Sequence, residues 1–216
     1  WRPRGCVLWL DFLEPSGSVA YDKSGYGNHG TIYGAQRVRA LGRWGLGFDG
    51  VDDYVEVPHS DSIMPSELTV EVLFNLLEFT TTYIRVLEKG GASLGGGYGL
   101  ELNPAGNRKI RATVWNGTYV TTLDSTAPIE LGKWYHVVYT FDGELKLHVC
   151  GKLEGSRSAA MTTNTHPLRI GVDCAMTGNK WFKGQIALVR IYNRALTERE
   201  IKANYTYFFS HLKGEV

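Results

Sequence analysis

The sequence predicts an all-β sandwich. The clearest evidence is residues 132–152, GKWYHVVYTFDGELKLHVCGK, which hold two alternating strands joined by an Asp142–Gly143 turn and followed by a second turn at Cys150–Gly151. Side chains on a strand alternate between its two faces, so the apolar face of this hairpin must be buried against another layer. Similar alternating segments recur along the chain without a βαβ rhythm, which predicts two packed antiparallel sheets.

Eleven alternating segments are predicted as strands, separated by Gly, Asn, Asp and Ser residues that are typical of turns. They are 6–12, 54–57, 68–76, 84–90, 98–103, 109–116, 119–124, 134–141, 145–149, 167–172 and 184–192. No internal repeat or low-complexity linker divides them, and 216 residues suit one large β domain better than two small ones. We therefore predict a single domain over residues 1–216.

One short helix is predicted near the C-terminus. Thr197 and Glu200 form a capping box, in which each side chain satisfies an exposed backbone donor, and Leu196 and Ile201 are placed as the hydrophobic staple across it. The aromatic run at 205–209 is expected to follow this helix. Packing onto the same domain is the favoured role for that run, and docking to a neighbouring domain or subunit is the alternative.

The composition argues against several classes of protein. The chain has 23 basic and 22 acidic residues, and no basic stripe marks a nucleic-acid surface. No apolar run is long enough to span a bilayer. No secretion signal opens the sequence, which leaves a mature product, an excised domain and a cytosolic protein as alternatives. Cys6, Cys150 and Cys174 match no metal spacing; buried thiols are favoured over a Cys150–Cys174 disulfide, which would require adjacent strands.

Seven segments, in order and over nearly the full length, carry a family resemblance. They are DKSGYGNHGTIYGA (22–35), GLGFDGVDDYVEVPHSDSI (45–63), LTVEVLF (68–74), GKWYHVVYTFDG (132–143), LKLHVCGK (145–152), PLRIG (167–171) and FKGQIALVRIYNRALTEREI (182–201). The chain resembles the laminin-G-like jelly rolls of the concanavalin A-like lectin/glucanase superfamily. The resemblance implies a two-sheet antiparallel jelly-roll sandwich. It also implies a binding or spacer module of a larger extracellular, cell-surface or virion-surface protein; fewer members are hydrolases or lyases.

The chain departs from the family pattern in three places. Cys150–Gly151 stands where Asn-Gly is usual in the hairpin turn, and Leu73 stands where Trp is usual. Ala187 replaces an Asp that lies beside a structural calcium in related glucanases. Because an alanine side chain cannot ligate a metal, that particular calcium site is expected to be lost.

We predict that the protein is not an enzyme. Hydrolytic members of the superfamily carry two carboxylates on one strand in an E-x-D-x-x-E pattern, and no segment here has that spacing. Glu71 and Glu78 are seven residues apart and would face opposite sides of a strand. Glu198 and Glu200 lie at the predicted helix start, where acidic residues complement the helix dipole.

The segment 109–116 is the candidate ligand-binding strand. Its core face is Ile110, Ala112 and Val114, and its opposite, polar face is Arg111, Thr113 and Trp115. A tryptophan on the solvent side of a sheet, between hydrogen-bonding residues, is suited to stacking against a sugar ring. Tyr98, Tyr119 and Trp181 are expected to extend this platform. The alternative is that these aromatic rings only cover neighbouring strands by cross-strand packing.

A calcium site is the other candidate. Asp22, Asn28, Asp49, Asp52 and Asp53 lie in two turns that the fold is expected to bring together, with Asp22 and Asp49 as the first candidate ligands. Side chains that only cap their own turns are the competing explanation. The sequence therefore predicts a non-catalytic carbohydrate-binding module with Ca²⁺ as a candidate cofactor; the alternative is a structural or protein-interaction module without a sugar ligand.

Overall fold

The computed structural model describes residues 2–176, 178 and 180–212, which form sixteen strands and one α-helix. The strands are β1 Cys6–Leu10, β2 Val19–Ala20, β3 Gly30–Tyr33, β4 Gln36–Ala40, β5 Arg43–Asp49, β6 Tyr54–Val57, β7 Leu68–Glu78, β8 Ile84–Gly91, β9 Gly96–Leu102, β10 Ile110–Trp115, β11 Val120–Asp124, β12 Trp134–Phe141, β13 Glu144–Val149, β14 Lys152–Ser158, β15 Leu168–Ile170 and β16 Lys183–Tyr192. The helix, α1, is Glu198–Leu212. Among the described residues no helix is long and apolar enough to cross a membrane.

The strands form two antiparallel sheets of eight strands each. One sheet has the order β14-β13-β12-β7-β16-β5-β4, with β1 also paired to β16. The other has the order β11-β10-β9-β8-β15-β6-β3-β2. Strands of both sheets contribute to one apolar cluster between the layers, whose members include Val72, Phe74, Leu100, Val114 and Ile170. The predicted all-β sandwich with one C-terminal helix is therefore confirmed.

Helix α1 covers the outer face of the first sheet, which we call the helix-covered sheet. Ile201 packs with Val138 and Tyr192, and Phe208 packs with Leu73 and Ala187. The second sheet carries no α-helix on its outer face within the described part of the chain, and we call it the open sheet. The helix therefore occupies part of the outer face of the helix-covered sheet, whereas the described residues place no α-helix on the outer face of the open sheet.

The capping box is confirmed, and the extent of the helix is corrected. Glu200 accepts a hydrogen bond from the Thr197 backbone N–H at 2.9 Å, and the Thr197 hydroxyl accepts one from the Glu200 N–H at 3.3 Å. The aromatic run at 205–209 lies inside α1 instead of following it. The buried Phe208 ring against Leu73 accounts for this, because packing on a sheet stabilises helical turns that propensity alone does not.

A buried polar network lies between α1 and the helix-covered sheet. Glu71 Oε1 accepts a hydrogen bond from His136 Nε2 at 2.8 Å. Glu71 Oε2 accepts one from the Tyr192 hydroxyl at 3.0 Å and lies 3.4 Å from Arg190 Nη1. The Arg190 guanidinium stacks over the Trp9 ring at 4.3 Å. Burial by itself raises the pKa of Glu71, but the His136 hydrogen bond and the Arg190 charge outweigh it, so the pKa lies below its ordinary value.

All eleven predicted strand segments contain an observed strand, and five strands were missed: β2, β3, β4, β5 and β14. Their sequences are short, polar or interrupted by glycine, so the two-residue alternation is weak. The hairpin turns are confirmed: β12 ends at Phe141 before the Asp142–Gly143 turn, and Cys150 and Gly151 both have positive φ between β13 and β14. Positive φ at both central residues is the requirement that Asn-Gly usually meets.

The cysteines remain free thiols. Cys150 lies in a turn of the helix-covered sheet, whereas Cys174 follows β15 in the open sheet. The Cys150–Cys174 disulfide that the sequence left open therefore does not form in this structure. Burial raises the pKa of both thiols.

Candidate functional site

The outer face of the open sheet is set by the alternation in β10. Ile110, Ala112 and Val114 are buried in the core between the layers, as predicted. Arg111, Thr113 and Trp115 consequently point to the outer face. Thr113 is buried there, and its hydroxyl has no hydrogen-bond partner among the described residues.

Trp115 is not the exposed platform that the sequence predicts. Its side chain is only 5% exposed. The ring lies across the neighbouring strand β9, where a methyl group added at Gly99 would be 2.9 Å from it. Cross-strand packing over a glycine therefore contributes to this burial, and Trp115 also lines a small cavity.

Tyr98 is a wrong prediction, because its side chain belongs to the core. In the β9–β10 register Tyr98 pairs with Val114, whereas Gly97 pairs with Trp115. Tyr98 is therefore on the inner face, is 0% exposed, and donates a hydrogen bond from its hydroxyl to the Ile63 carbonyl at 2.7 Å. Burial raises the pKa of this phenol.

Tyr119 and Trp181 lie at opposite sides of the open sheet. Tyr119 is 74% exposed in the turn between β10 and β11, where its backbone N–H donates to Asn116 Oδ1 at 2.7 Å. Trp181 is half-buried, and its ring centre is 6.3 Å from that of Tyr54 on β6. The two rings therefore do not join Trp115 in one platform, and a ligand role for Tyr119 stays a prediction.

A row of ion pairs crosses the outer face between β8 and β11. Arg111 binds Asp124 through two hydrogen bonds of 2.5 and 2.9 Å, and this holds the pKa of Asp124 below its ordinary value. Arg85 binds both Glu101 and Glu88. The strand register places Arg85, Glu101, Arg111 and Asp124 opposite one another, so neighbouring charges alternate in sign.

Glu88 and Glu101 are two buried carboxylates that sequence reasoning missed. Burial raises the pKa of each of them, although Arg85 opposes that shift. Both oxygens of Glu88 are occupied, since Oε2 accepts from Arg85 and Oε1 accepts from the Cys174 backbone N–H at 3.2 Å. Glu88 and Glu101 lie 13 residues apart on different strands, so no local sequence pattern indicates that they are close together.

The segment that follows β15 is fixed over this face. Arg169 donates to the Cys174 carbonyl and forms an ion pair with Glu56 at 2.8 Å, and Cys174 in turn donates to Glu88. Because the N–H and the carbonyl of Cys174 are both bound by side chains of the open sheet, the chain at Cys174 is held against the outer face of this sheet.

A cavity of about 190 Å³ remains beside this segment. Its polar lining consists of Arg85, Glu88, Ser93, Asp173 and Lys180, and Trp115 is the one aromatic residue of the lining. We call it the Asp173 pocket. Its fixed polar groups are of the kind that orient a small ligand.

A second feature of the outer face is an aromatic shelf made by Tyr33, Tyr54 and Trp181. Tyr33 and Tyr54 are direct partners on β3 and β6, with ring centres 4.5 Å apart and nearly parallel planes. Tyr33 is 43% exposed. The alternation in YVEV, where Val55 and Val57 enter the core, was the signal that could have placed Tyr54 on the outer face.

The two proposed calcium ligands do not share a site. Asp22 accepts four hydrogen bonds, from the Trp9 N–H, the Asn28 N–H and both the N–H and hydroxyl of Ser24, at 2.7 to 3.0 Å. Its carboxylate is therefore satisfied by its own turn. Asp22 contacts His29 before β3, whereas Asp53 lies against Gly34 after β3, so the two carboxylates are at opposite ends of this strand.

Asp49 has different neighbours. Its carboxylate lies with those of Asp52 and Asp53, all within 4.8 Å of one another. Asp49 also accepts from the Val51 N–H at 2.8 Å, and Asp53 accepts from the Asp49 N–H at 2.8 Å. Carboxylate oxygens suit calcium, so the donor set fits; calcium at Asp49 stays a prediction, with Asp52 and Asp53 replacing Asp22 as partners.

The two packed antiparallel sheets define a jelly-roll sandwich, and comparison identifies its family. The family model described as concanavalin A-like lectin/glucanases superfamily matches residues 49–202, more than half of the chain. The protein therefore belongs to this superfamily, as the sequence resemblance implied. The sequence has no significant match among curated proteins.

Solved structures with a similar fold come from toxins and glycan-processing enzymes. The binding domain of Paraclostridial Mosquitocidal Protein 1 has a TM-score of 0.79 at 16% identity, over 95% of this chain and 52% of that one. Domain 4 of AbnA, an extracellular arabinanase of Geobacillus stearothermophilus solved with arabinotriose, has a TM-score of 0.74 at 18% identity, over 92% of this chain and 97% of that one.

Trypanosoma rangeli sialidase, solved with the inhibitor DANA, has a TM-score of 0.72 at 23% identity, over 94% of this chain but only 33% of the enzyme. The chain thus spans about half of the toxin domain and a third of the sialidase. At these identities the likeness shows the fold, and fold alone does not establish function.

Proposed function

We propose that this domain is a non-catalytic carbohydrate-binding module and that the outer face of the open sheet binds the glycan. The observation that carries the proposal is the aromatic shelf, in which Tyr33 and Tyr54 stack in parallel on an outer sheet face beside Trp181. Tyr54 is flanked by Tyr33 and Trp181, so Tyr33, which is 43% exposed, is the ring that can offer an apolar surface to the C–H face of a sugar, while nearby polar groups fix the orientation of that sugar. Arg169 and Glu56 supply such groups next to Tyr54.

Two further facts support this proposal. Domain 4 of AbnA, which shares the fold over nearly its full length, was solved with arabinotriose. Helix α1 packs on the outer face of the helix-covered sheet, whereas the outer face of the open sheet carries no α-helix within the described residues and is the larger accessible face for a glycan chain. We also propose that the domain belongs to a larger extracellular, cell-surface or virion-surface protein, and that the aromatic residues of α1 contact its neighbouring domains or subunits.

Binding to an array of immobilised glycans that includes arabinotriose tests the proposal. We expect Tyr54→Ala to weaken binding by roughly 5- to 30-fold, since loss of a stacked ring costs about 1–2 kcal/mol. The matched control is Tyr207→Ala, which removes a tyrosine that is exposed on α1 over the other sheet. That control is expected to bind like the unaltered protein.

Other outcomes would favour other functions. A protein that is folded but binds no glycan on the array would contradict the proposal and favour a structural or protein-interaction module. Turnover of a polysaccharide that disappears when a named carboxylate is replaced would contradict the non-catalytic part. Equal loss of binding in Tyr54→Ala and Tyr207→Ala would show that the shelf has no specific role.

A further inference from the structure

We propose that the Asp173 pocket binds one uncharged sugar unit through two adjacent hydroxyl groups. One hydroxyl donates a hydrogen bond to Asp173 Oδ1, and the neighbouring hydroxyl accepts one from Lys180 Nζ. This inference rests on the proposed carbohydrate-binding function and names the chemical class of unit that the pocket accepts.

The first support is an unsatisfied acceptor. Asp173 is 2% exposed and lines the pocket, yet its Oδ1 has no hydrogen-bond partner among the described residues. Leaving a buried charged acceptor unpaired costs free energy, and native structures rarely do so without a reason. A hydroxyl donor of a ligand would satisfy this oxygen.

The second support is the donor beside it. Lys180 Nζ lies 3.4 Å from the other oxygen of Asp173, and the Lys180 side chain is 34% exposed. An ammonium group has three N–H donors, so donors remain that can bind a ligand. An acceptor and a donor side by side match two neighbouring hydroxyl groups of a sugar ring, one of which donates while the other accepts.

The third support is the charge of the pocket. Arg85 donates through Nε and Nη1 to Glu88, Glu101 and the Tyr83 carbonyl. Lys180 is the other cation of the lining, and it faces Asp173. Both cations are thus already balanced by carboxylates, so the added negative charge of a uronic or sialic acid would have no further cation to balance it.

The pocket, of about 190 Å³, is small and open to solvent on one side, which suits a terminal or single ring of a glycan. Trp115 in the lining gives this ring an apolar contact. Additional units of a glycan would then extend along the open face toward the aromatic shelf.

Titration calorimetry with the whole protein tests this proposal. The probes are the methyl glycosides of glucose, galactose, mannose and arabinose, together with methyl glucuronide and N-acetylneuraminic acid. We expect at least one neutral glycoside to bind and both acids to bind at least tenfold more weakly. Asp173→Asn and Lys180→Met should each weaken the neutral glycoside roughly 10- to 100-fold, because hydrogen bonds to charged groups are lost.

The matched control is Asp142→Asn, which makes the same chemical change at an exposed carboxylate in the β12–β13 turn of the helix-covered sheet. A thermal melt of each variant shows that it is folded. Neutral-glycoside binding that is unaffected in Asp173→Asn but lost in Tyr54→Ala would overturn the pocket and leave the carbohydrate-binding function intact. Preferential binding of either acid would overturn it as well. A lack of binding to every probe and to the glycan array would overturn both proposals.

Discussion

Replacement of Glu71 by glutamine is the sharpest test of how α1 is held on the helix-covered sheet. Glu71 is fully buried and faces His136, Arg190 and Tyr192. Glutamine keeps the shape of the side chain but removes the charge that balances Arg190. Its amide N–H donors would also face the hydrogen-bond donors of the surrounding residues. Breaking a buried ion pair on one side typically costs about 3–5 kcal/mol, which is a large share of the roughly 5–15 kcal/mol that stabilises a domain.

Urea denaturation followed by tryptophan fluorescence measures this loss. With a denaturant slope near 3 kcal/mol per molar, the midpoint should fall by roughly 1 to 2 M. The pH dependence has a definite sign. Because the folded-state pKa of Glu71 lies below its ordinary value, its stabilisation is present above about pH 4 and is lost as the pH falls through the folded-state pKa. The difference between the two proteins should therefore shrink in acid.

The matched control is Glu130→Gln, since Glu130 pairs with Lys133 on the surface, where both side chains are mostly exposed. Its midpoint should stay within experimental error of the unaltered protein. If Glu71→Gln also denatured at the unaltered midpoint, the network beneath α1 would contribute nothing to stability and the reasoning would be refuted.

Two further predictions concern the helix start and calcium. The Arg194 hydrogen bond lowers the pKa of Glu200 to about 2. Glu200→Gln should therefore lower the free energy of unfolding by about 0.5–1 kcal/mol above pH 5, a value discounted for the exposure of this pair, and by progressively less toward pH 2. A difference in stability that stays constant across that pH range would contradict this prediction. If calcium binds at Asp49, the melting temperature should rise with added calcium and fall with a chelator, and Asp49→Asn should abolish the rise; a melting temperature that does not respond excludes the metal.

The fold was predictable from the sequence because burial imposes a two-residue period on a half-buried strand. Strands such as β7 and β12 show that period, and the capping box marked the start of α1. The polar edge strand β14 shows it poorly, because most of its side chains face solvent. The length of α1 depended on Phe208 meeting Leu73, which is a contact between distant parts of the chain.

The candidate site was predictable only in part. Alternation correctly divided β10 into a core face and an outer face, but it gives no information on what lies above the outer face. Trp115 is covered because Gly99 on the next strand leaves room for its ring, and this depends on strand register. The facing of Tyr98, by contrast, was predictable, because alternation along β9 puts it on the same face as the core residues Leu100 and Leu102. Asp173 lies in the long loop between β15 and β16, and no local sequence pattern predicts the path of that loop.

The lining of the Asp173 pocket has two parts, one on a strand of the sheet and one on a connection between strands, and these parts differ in how well they tolerate substitution. Arg85 and Glu88 belong to a central strand, so replacing either disturbs paired charges of the sheet itself. Asp173 and Lys180 belong to a connection between strands, and connections tolerate change far better than the strands they join. Related chains could therefore acquire new ligand preferences by rewriting this connection alone, with the scaffold beneath it unchanged.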